Sequence, residues 1–291
     1  MNLHLENKTA LVTGGGSGLG YEISKKLLIN GANVIIIGRN KSVLKKTALD
    51  LRNLSNTDSF CDFFECDISD EKNVKELIAN IEEKYNQFSI LVNNAGIQGA
   101  KGSFEDNNWQ EWKKTVEINL FGSVLMAREC LPHFKRNNYG KIIQLSGGGA
   151  TKPSPNLSAY ASSKAGVVRF IETISEELKD KNIFANSVAP GAVNTNMVEE
   201  IIKAGPKIVG KELYEISLEQ KQNGGLSGEH CANLVCFLAS SLSDGITGKL
   251  ISAIWDDYYE FPKHLKELSE TDIYSLRRII AKERGFDWGD K

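Results

Sequence analysis

Charge imbalance, long apolar runs and cysteine are scarce in this sequence, and each scarcity excludes something. Lys and Arg number 35 against 37 Asp and Glu, a formal net charge of -2, so the basic excess of a dedicated nucleic-acid binder or of a polybasic membrane surface is missing. No stretch approaches the roughly 20 apolar residues of a spanning helix. Mean hydropathy is -0.28, and the amino terminus runs into a strand-like segment without a signal-sequence pattern. The expectation is a cytoplasmic protein with no nucleic-acid and no membrane partner. Five cysteines, an odd number and few for the length, do not describe a secreted disulfide framework. Cys61 and Cys66 lie in a strand-like run, where an odd offset puts their side chains on opposite faces. Cys231 and Cys236 lie in a helical run, about 140° apart around the axis. No metal site is expected, and buried free thiols are the simpler reading. Pro/Ser-rich linkers, repeats and low-complexity segments are missing too, which favours one domain.

What is present is an ordinary globular composition: 291 residues, 41% hydrophobic and 25% charged, enough to bury a large α/β core. Apolar, β-branched runs at Thr9–Val12, Val34–Ile37, Phe60–Cys66, Ile90–Val92, Lys141–Leu145, Ile183–Val188 and Lys249–Ile254 read as strands. Helical patterns separate them. Val74, Leu77, Ile78, Ile81 and Tyr85 share one helical face, with Ser69 expected as its cap and Asp70 and Glu71 suited to the helix dipole. Gly31 ends an earlier helix. The βαβ alternation implies right-handed crossovers and a doubly wound, mainly parallel, seven-stranded sheet with helices on both faces. Residues 1–254 are expected to form that domain, with a polar insertion at about 194–228, and residues 255–291 a C-terminal extension.

Thr13-Gly14-Gly15-Gly16-Ser17-Gly18-Leu19-Gly20 follows the first strand and opens a helix, the position where backbone amides and a helix amino end hold a pyrophosphate. A Walker loop would need Lys and Ser/Thr after the last glycine, and Tyr21-Glu22 stands there. The placement reads as a Rossmann-like dinucleotide site. The second strand usually ends near an acid for the ribose hydroxyls of NAD; here it ends Ile37-Gly38-Arg39. An Arg able to pair with a 2′-phosphate favours NADP, with NAD as the alternative.

Tyr160 and Lys164 are four apart on a helix expected to start near Ser158, so they are neighbours on one face, on a stripe continued by Val167, Ile171, Ile174 and Leu178. An ammonium beside a phenol favours the phenolate, lowering its ordinary pKa of about 10 toward working pH. Such a tyrosine exchanges a proton with a carbonyl or carbinol oxygen.

Together these residues resemble the short-chain dehydrogenase/reductase family over about residues 7–254. Gly14, Ser17, Gly18, Leu19 and Gly20 resemble its cofactor loop, and Asp67-Ile68 its adenine contact. Asn93-Asn94-Ala95-Gly96 is similar to its fourth-strand motif, with Asn93, Ala95 and Gly96 expected at the cofactor. Asn119 is similar to its catalytic asparagine, and Tyr160 and Lys164 to its central pair. Pro190, Gly191, Val193 and Thr195 resemble the segment that holds the nicotinamide carboxamide. The resemblance implies NAD(P) binding, hydride transfer, a proton relay through Tyr160, Lys164, the ribose and an Asn119-held water, a small-molecule substrate, and a homo-oligomer, dimer or tetramer.

One position departs from the family. Its catalytic serine usually lies thirteen residues before the tyrosine, where this chain has Gly147, and Ser146 stands one place early. One step after a strand turns a side chain to the other face, so Ser146 substitutes only if the loop bends. Losing such a donor costs about 2.7–4 kcal/mol of transition-state stabilisation.

In the family the segment after Thr195 is the substrate lid. Here it carries Lys203, Lys207, Lys211 and Lys221 among glutamates, which suggests a polar, even anionic substrate such as a sugar or sugar nucleotide. In the extension, Leu265, Leu268, Ile273, Leu276, Ile279 and Ile280 are expected to form one or two amphipathic helices. Trp255, Tyr258, Tyr259, Phe261 and Trp288 are expected to anchor them on the domain or on a neighbouring subunit. The functional expectation is an NADP-preferring oxidoreductase interconverting a carbonyl and a secondary alcohol on a polar small molecule. The alternatives are an epimerase or dehydratase using transient oxidation, and a non-catalytic dinucleotide sensor.

Overall fold

The computed structural model describes residues 3–55 and 58–289; residues 1, 2, 290 and 291, which the two expected segments also include, lie outside it. Among the described residues seven strands form one parallel sheet in the order β3-β2-β1-β4-β5-β6-β7. They are β1 (Thr9–Thr13), β2 (Asn33–Gly38), β3 (Cys61–Glu65), β4 (Ile90–Asn93), β5 (Gly140–Leu145), β6 (Ile183–Ala189) and β7 (Leu250–Ser252). Each expected run is a strand, because a strand buried on both faces is a continuous apolar word. Alternate residues feed two cores: Ala10, Val12, Val34 and Ile36 join one, Leu11, Ile35 and Ile37 the other. Cys61 and Cys66 fall on opposite sides of the sheet in the same way, and all five cysteines are buried and free.

The helices are α1 (Gly18–Ile29), α2 (Lys41–Leu54), α3 (Glu71–Tyr85), α4 (Trp109–Val116), α5 (Ser123–Arg136), α6 (Ser158–Glu177), α7 (Asn196–Ala204), α8 (Pro206–Val209), α9 (Lys211–Gln222), α10 (Gly228–Ala239) and α11 (Leu265–Glu270). None is long and apolar enough to cross a membrane. The cap of α3 is Asp70, whose carboxylate accepts from the Asn73 N–H at 2.9 Å. Ser69, the residue expected there, instead donates through N and Oγ to Asp67. The strand order reverses between β1 and β4, and the crevice beyond their carboxyl ends is where a doubly wound sheet receives a ligand.

The extension departs from its expected form. Tyr258, Phe261 and Leu268 are buried, with Phe237 5.3 Å from the Tyr258 ring, but Trp255 and Trp288 are 85% and 68% exposed and anchor nothing. Helix is limited to α11 and short 3-10 turns at Phe261–His264 and Ala281–Arg284. The apolar spacing beyond α11 does not become a helix because its backbone is used elsewhere. Tyr274 O accepts from the Leu250 N–H at 2.7 Å, Lys249 Nζ donates to Thr271 O and Ile273 O, and Leu276 N donates to Glu172 Oε1. The segment is a strap along the open side of β7.

Candidate active site

Beyond the carboxyl ends of the strands lies a cavity of about 760 Å³ that runs from the glycine turn to the lid. Gly14, Ser17, Gly18, Leu19 and Gly20 line one end, where α1 begins without a side-chain cap, so its first amides face an anion site. A Cβ on Gly20 would lie 2.2 Å from Gly14 O, so only glycine permits this turn. Arg39, exposed and in no ion pair among the described residues, stands at the end of β2, and Asp67 and Ile68 at the wall beside it. Asp67 is oriented by Ser69, and Ile68 packs on Gly122.

The β4 motif divides. Ala95 and Gly96 line the cavity, but Asn93 does not: its amide turns inward and donates to Ser123 O at 2.9 Å. The cavity takes Asn94 instead, the first residue beyond the end of β4. Asn94 N and Ala95 N both donate to Thr13 Oγ1 at 3.0 Å, and Asn94 Nδ2 donates to Thr13 O, so β4 and the glycine turn are tied together. Sequence reasoning passed over Asn94 because its motif contains two adjacent asparagines and only the end of β4 separates them.

Asn119 sits behind the wall in a π-helical turn, Glu117–Gly122, that breaks the helix between α4 and α5. Its Oδ1 accepts from Ile97 N at 2.8 Å and its Nδ2 donates to Ile97 O at 2.9 Å and to Ser163 Oγ at 3.0 Å. Tyr160 and Lys164 both face the cavity from α6. Lys164 is buried, donates to Leu145 O at 2.9 Å, and lies 5.7 Å from the Tyr160 ring centre. Burial lowers the Lys164 ammonium to about 8 and pushes the Tyr160 phenol up to about 12. This reverses the lowered phenol expected from the spacing alone, because desolvation disfavours both charged forms and prevails at this depth.

Ser146 and Gly147 both line the cavity but differ in what they meet. Ser146 N donates to Val188 O at 2.8 Å, and its buried Oγ has no partner among the described residues. The position that faces Tyr160 is Gly147, where a Cβ would lie 2.6 Å from the phenol oxygen. Its backbone is extended, φ -175°, so the glycine answers to space and not to conformation.

Pro190, Gly191, Val193 and Thr195 complete that wall, with Thr195 Oγ1 accepting from Met197 N at the start of α7. The lid contributes Met197, Val198, Ile201 and Leu213 with the polar Glu200 and Gln220. Lys203, Lys207, Lys211 and Lys221 are exposed and do not line this cavity; Lys211 and Lys221 pair with Glu215 and Glu199. Their charge is therefore a solvated helix face, and it gives no support to an anionic substrate. Gln98, between the β4 motif and α4, is a buried cavity residue that no sequence pattern marked.

A family model for short chain dehydrogenase matches residues 8–205. The chain belongs to the short-chain dehydrogenase/reductase family. It is an NAD(P)-dependent oxidoreductase that acts on a small molecule. Among its relatives, dehydrogenase/reductase SDR family member 4 of Sus scrofa is 30% identical over 249 residues, 85% of this chain and 86% of that one. Two solved structures superpose closely. NAD+-bound xylitol dehydrogenase has TM-score 0.77 at 23% identity, covering 86% of this chain and 98% of that chain. A single-substitution variant of actinorhodin polyketide ketoreductase with NADPH has TM-score 0.76 at 26% identity, covering 84% of this chain and 95% of that chain. One neighbour carries NAD+ and the other NADPH, so both dinucleotides occur on this architecture.

Proposed function

We propose that this dehydrogenase/reductase interconverts a carbonyl and a secondary alcohol on a small molecule with both apolar and polar parts, matching the mixed lining of the lid, with NADP preferred to NAD. The observation that carries the reading is Tyr160, whose hydroxyl faces the cavity against Gly147 with the buried Lys164 four residues on. The uncapped start of α1, the Gly20 close approach and the unpaired Arg39 suit a pyrophosphate and a 2′-phosphate at the other end. The bound dinucleotide supplies hydride exchange at the reacting carbon.

The chain supplies the proton chemistry. In reduction Tyr160 gives its proton to the carbonyl oxygen, and in oxidation it takes the carbinol proton. Burial keeps the phenol protonated at neutral pH, which suits reduction. Lys164, lowered to about 8, is mainly cationic there and offsets the negative charge that forms on the tyrosine oxygen. Leu145 O holds the ammonium in place, and Asn119 fixes the backbone at Ile97. A homodimer or tetramer belongs to the same reading, supported by Trp109 and Phe121, 57% and 54% exposed. So do a division into residues 1–254 and 255–291, supported by the strap, and a cytoplasmic location, supported by the five free thiols.

The test is Tyr160→Phe. Turnover of carbonyl substrates, followed at the nicotinamide absorbance, is expected to fall by roughly 10²–10⁴ while NADPH affinity is kept. Unchanged turnover refutes the assignment.

A further inference from the structure

Tyr160 presents one hydroxyl to the cavity, whereas a carbonyl oxygen accepts at two lone pairs. A single donor leaves the second lone pair without a partner while the oxygen gains negative charge in reduction. No side chain at 147 supplies another. The main chain beside the phenol does. Gly147 and Gly148 both line the cavity, Gly148 is exposed, and no described residue accepts from its N–H. The Gly147 carbonyl is turned to the Ala150 N–H at 3.0 Å. A trans peptide sets the next N–H opposite that carbonyl, so the Gly148 N–H points away from the turn that the loop makes.

The bare α-carbon at 147 fixes the distance. A Cβ there would lie 2.6 Å from the Tyr160 hydroxyl oxygen, and only three covalent bonds join that Cβ to the Gly148 nitrogen. The nitrogen is therefore within about 6 Å of the phenol oxygen. Two donors that share one acceptor, each at about 2.7–3.0 Å, stand up to about 6 Å apart, so one oxygen can meet both. A Cβ on Gly148 would touch nothing within 4 Å, which leaves its side of the loop open to a ligand.

We propose that the Gly148 N–H is a catalytic donor that binds the same substrate oxygen as Tyr160 and stabilises the negative charge forming on it. A side chain at 147 would take the room that this oxygen needs, so the glycine at 147 and the donor at 148 belong together. A main-chain donor is held by the loop and needs no reorganisation as the charge develops. The proposal rests on the reading of the cavity as a carbonyl–alcohol site.

Gly148→Pro removes the N–H and suits the local backbone. Gly147 ahead of it is extended, φ -175° and ψ 167°, as a residue before proline prefers, and Gly148 itself does not have a positive φ. The probe is ethyl acetoacetate isotopically labelled at its ketone carbon, used with the whole chain. Its reduction is followed with NADPH and with NADH, and its ketone stretch is read by difference infrared spectroscopy on protein saturated with NADP+. Each hydrogen bond to the ketone oxygen lowers that stretch relative to the ketone in hexane. Gly148→Pro is expected to remove about half of the wild-type shift and to lower kcat by roughly 10²-fold with KM held within a few-fold. Gly148→Ala, which keeps the N–H, is expected to lose roughly tenfold less kcat than Gly148→Pro. If Gly148→Pro does not fold, Tyr160→Phe serves instead and is expected to keep about half of the shift through the remaining donor. A shift and kcat unchanged in Gly148→Pro, a loss confined to KM, a shift abolished by Tyr160→Phe, or no binding of the ester overturns the proposal. A shift that Gly148→Pro halves, with no reduction by either dinucleotide, sustains the donor and overturns the carbonyl–alcohol reading instead.

Discussion

The two ends of the cavity are made of different material. At the glycine turn the wall is mainly backbone: α1 amides, a glycine that no Cβ can replace, and the β4 motif hydrogen-bonded to Thr13. At the lid it is side chains, with Met197, Ile201 and Leu213 beside Gln98 and Tyr160. A wall of backbone amides suits a pyrophosphate and tolerates little substitution, with Arg39 as the side chain that can adjust it. A side-chain wall can be rewritten residue by residue, so chemistry is constrained at one end and selectivity is adjustable at the other.

The substitution expected to act most strongly on this contrast is Gly147→Ser. It adds a Cβ 2.6 Å from the Tyr160 oxygen, so the phenol must move, and kcat/KM should fall by roughly 10² while dinucleotide affinity holds. A rise in kcat/KM on restoring this hydroxyl would mean that the glycine is a loss and not an accommodation. Arg39→Ala addresses the other end. Removing a charge-assisted contact should weaken NADPH by roughly 10- to 100-fold relative to NADH, in binding titrations. Equal losses for both would show that Arg39 does not read the 2′-phosphate.

A smaller effect separates the two ends by pH. Lys164 is lowered to about 8, so it is cationic below that value and loses its charge as pH rises through it. Reduction by Tyr160 needs that charge once the proton has left. The kcat for reduction should therefore be flat below pH 7 and decline several-fold between pH 7 and 9, with the limb absent in Lys164→Met. Dinucleotide affinity, which rests on the backbone amides and Arg39 at the far end, should stay level across the same window. A parallel decline in affinity would show that the two ends are not independent.

The same contrast explains what was legible in the sequence. The strands and the glycine turn were readable because each imposes a local requirement: continuous apolar residues for a strand covered on both faces, and no side chain where Gly20 meets Gly14 O. Features set by three-dimensional context were not. Asp70 displaced Ser69 as a cap because Ser69 was engaged by Asp67. Asn94 displaced Asn93 because β4 ends between them, and the phenol of Tyr160 moved up because burial outweighed its neighbour. Gln98 carried no signal at all, since one glutamine after a motif is an ordinary loop residue until its surroundings are known. The lid lysines were present as read, but helix rotation turned them outward.

The strap over β7 bears on how the chain completes itself. An uncovered strand edge is a template for pairing with any passing chain, and β7 is the last strand to be made. Its cover, at Tyr274, follows Leu250 by only two dozen residues, so the loop that must close is short and closes cheaply in entropy. During synthesis the vulnerable interval therefore lasts only until those residues emerge. The extension, which lies outside the family match, thus covers part of that edge through a contact that is local in sequence.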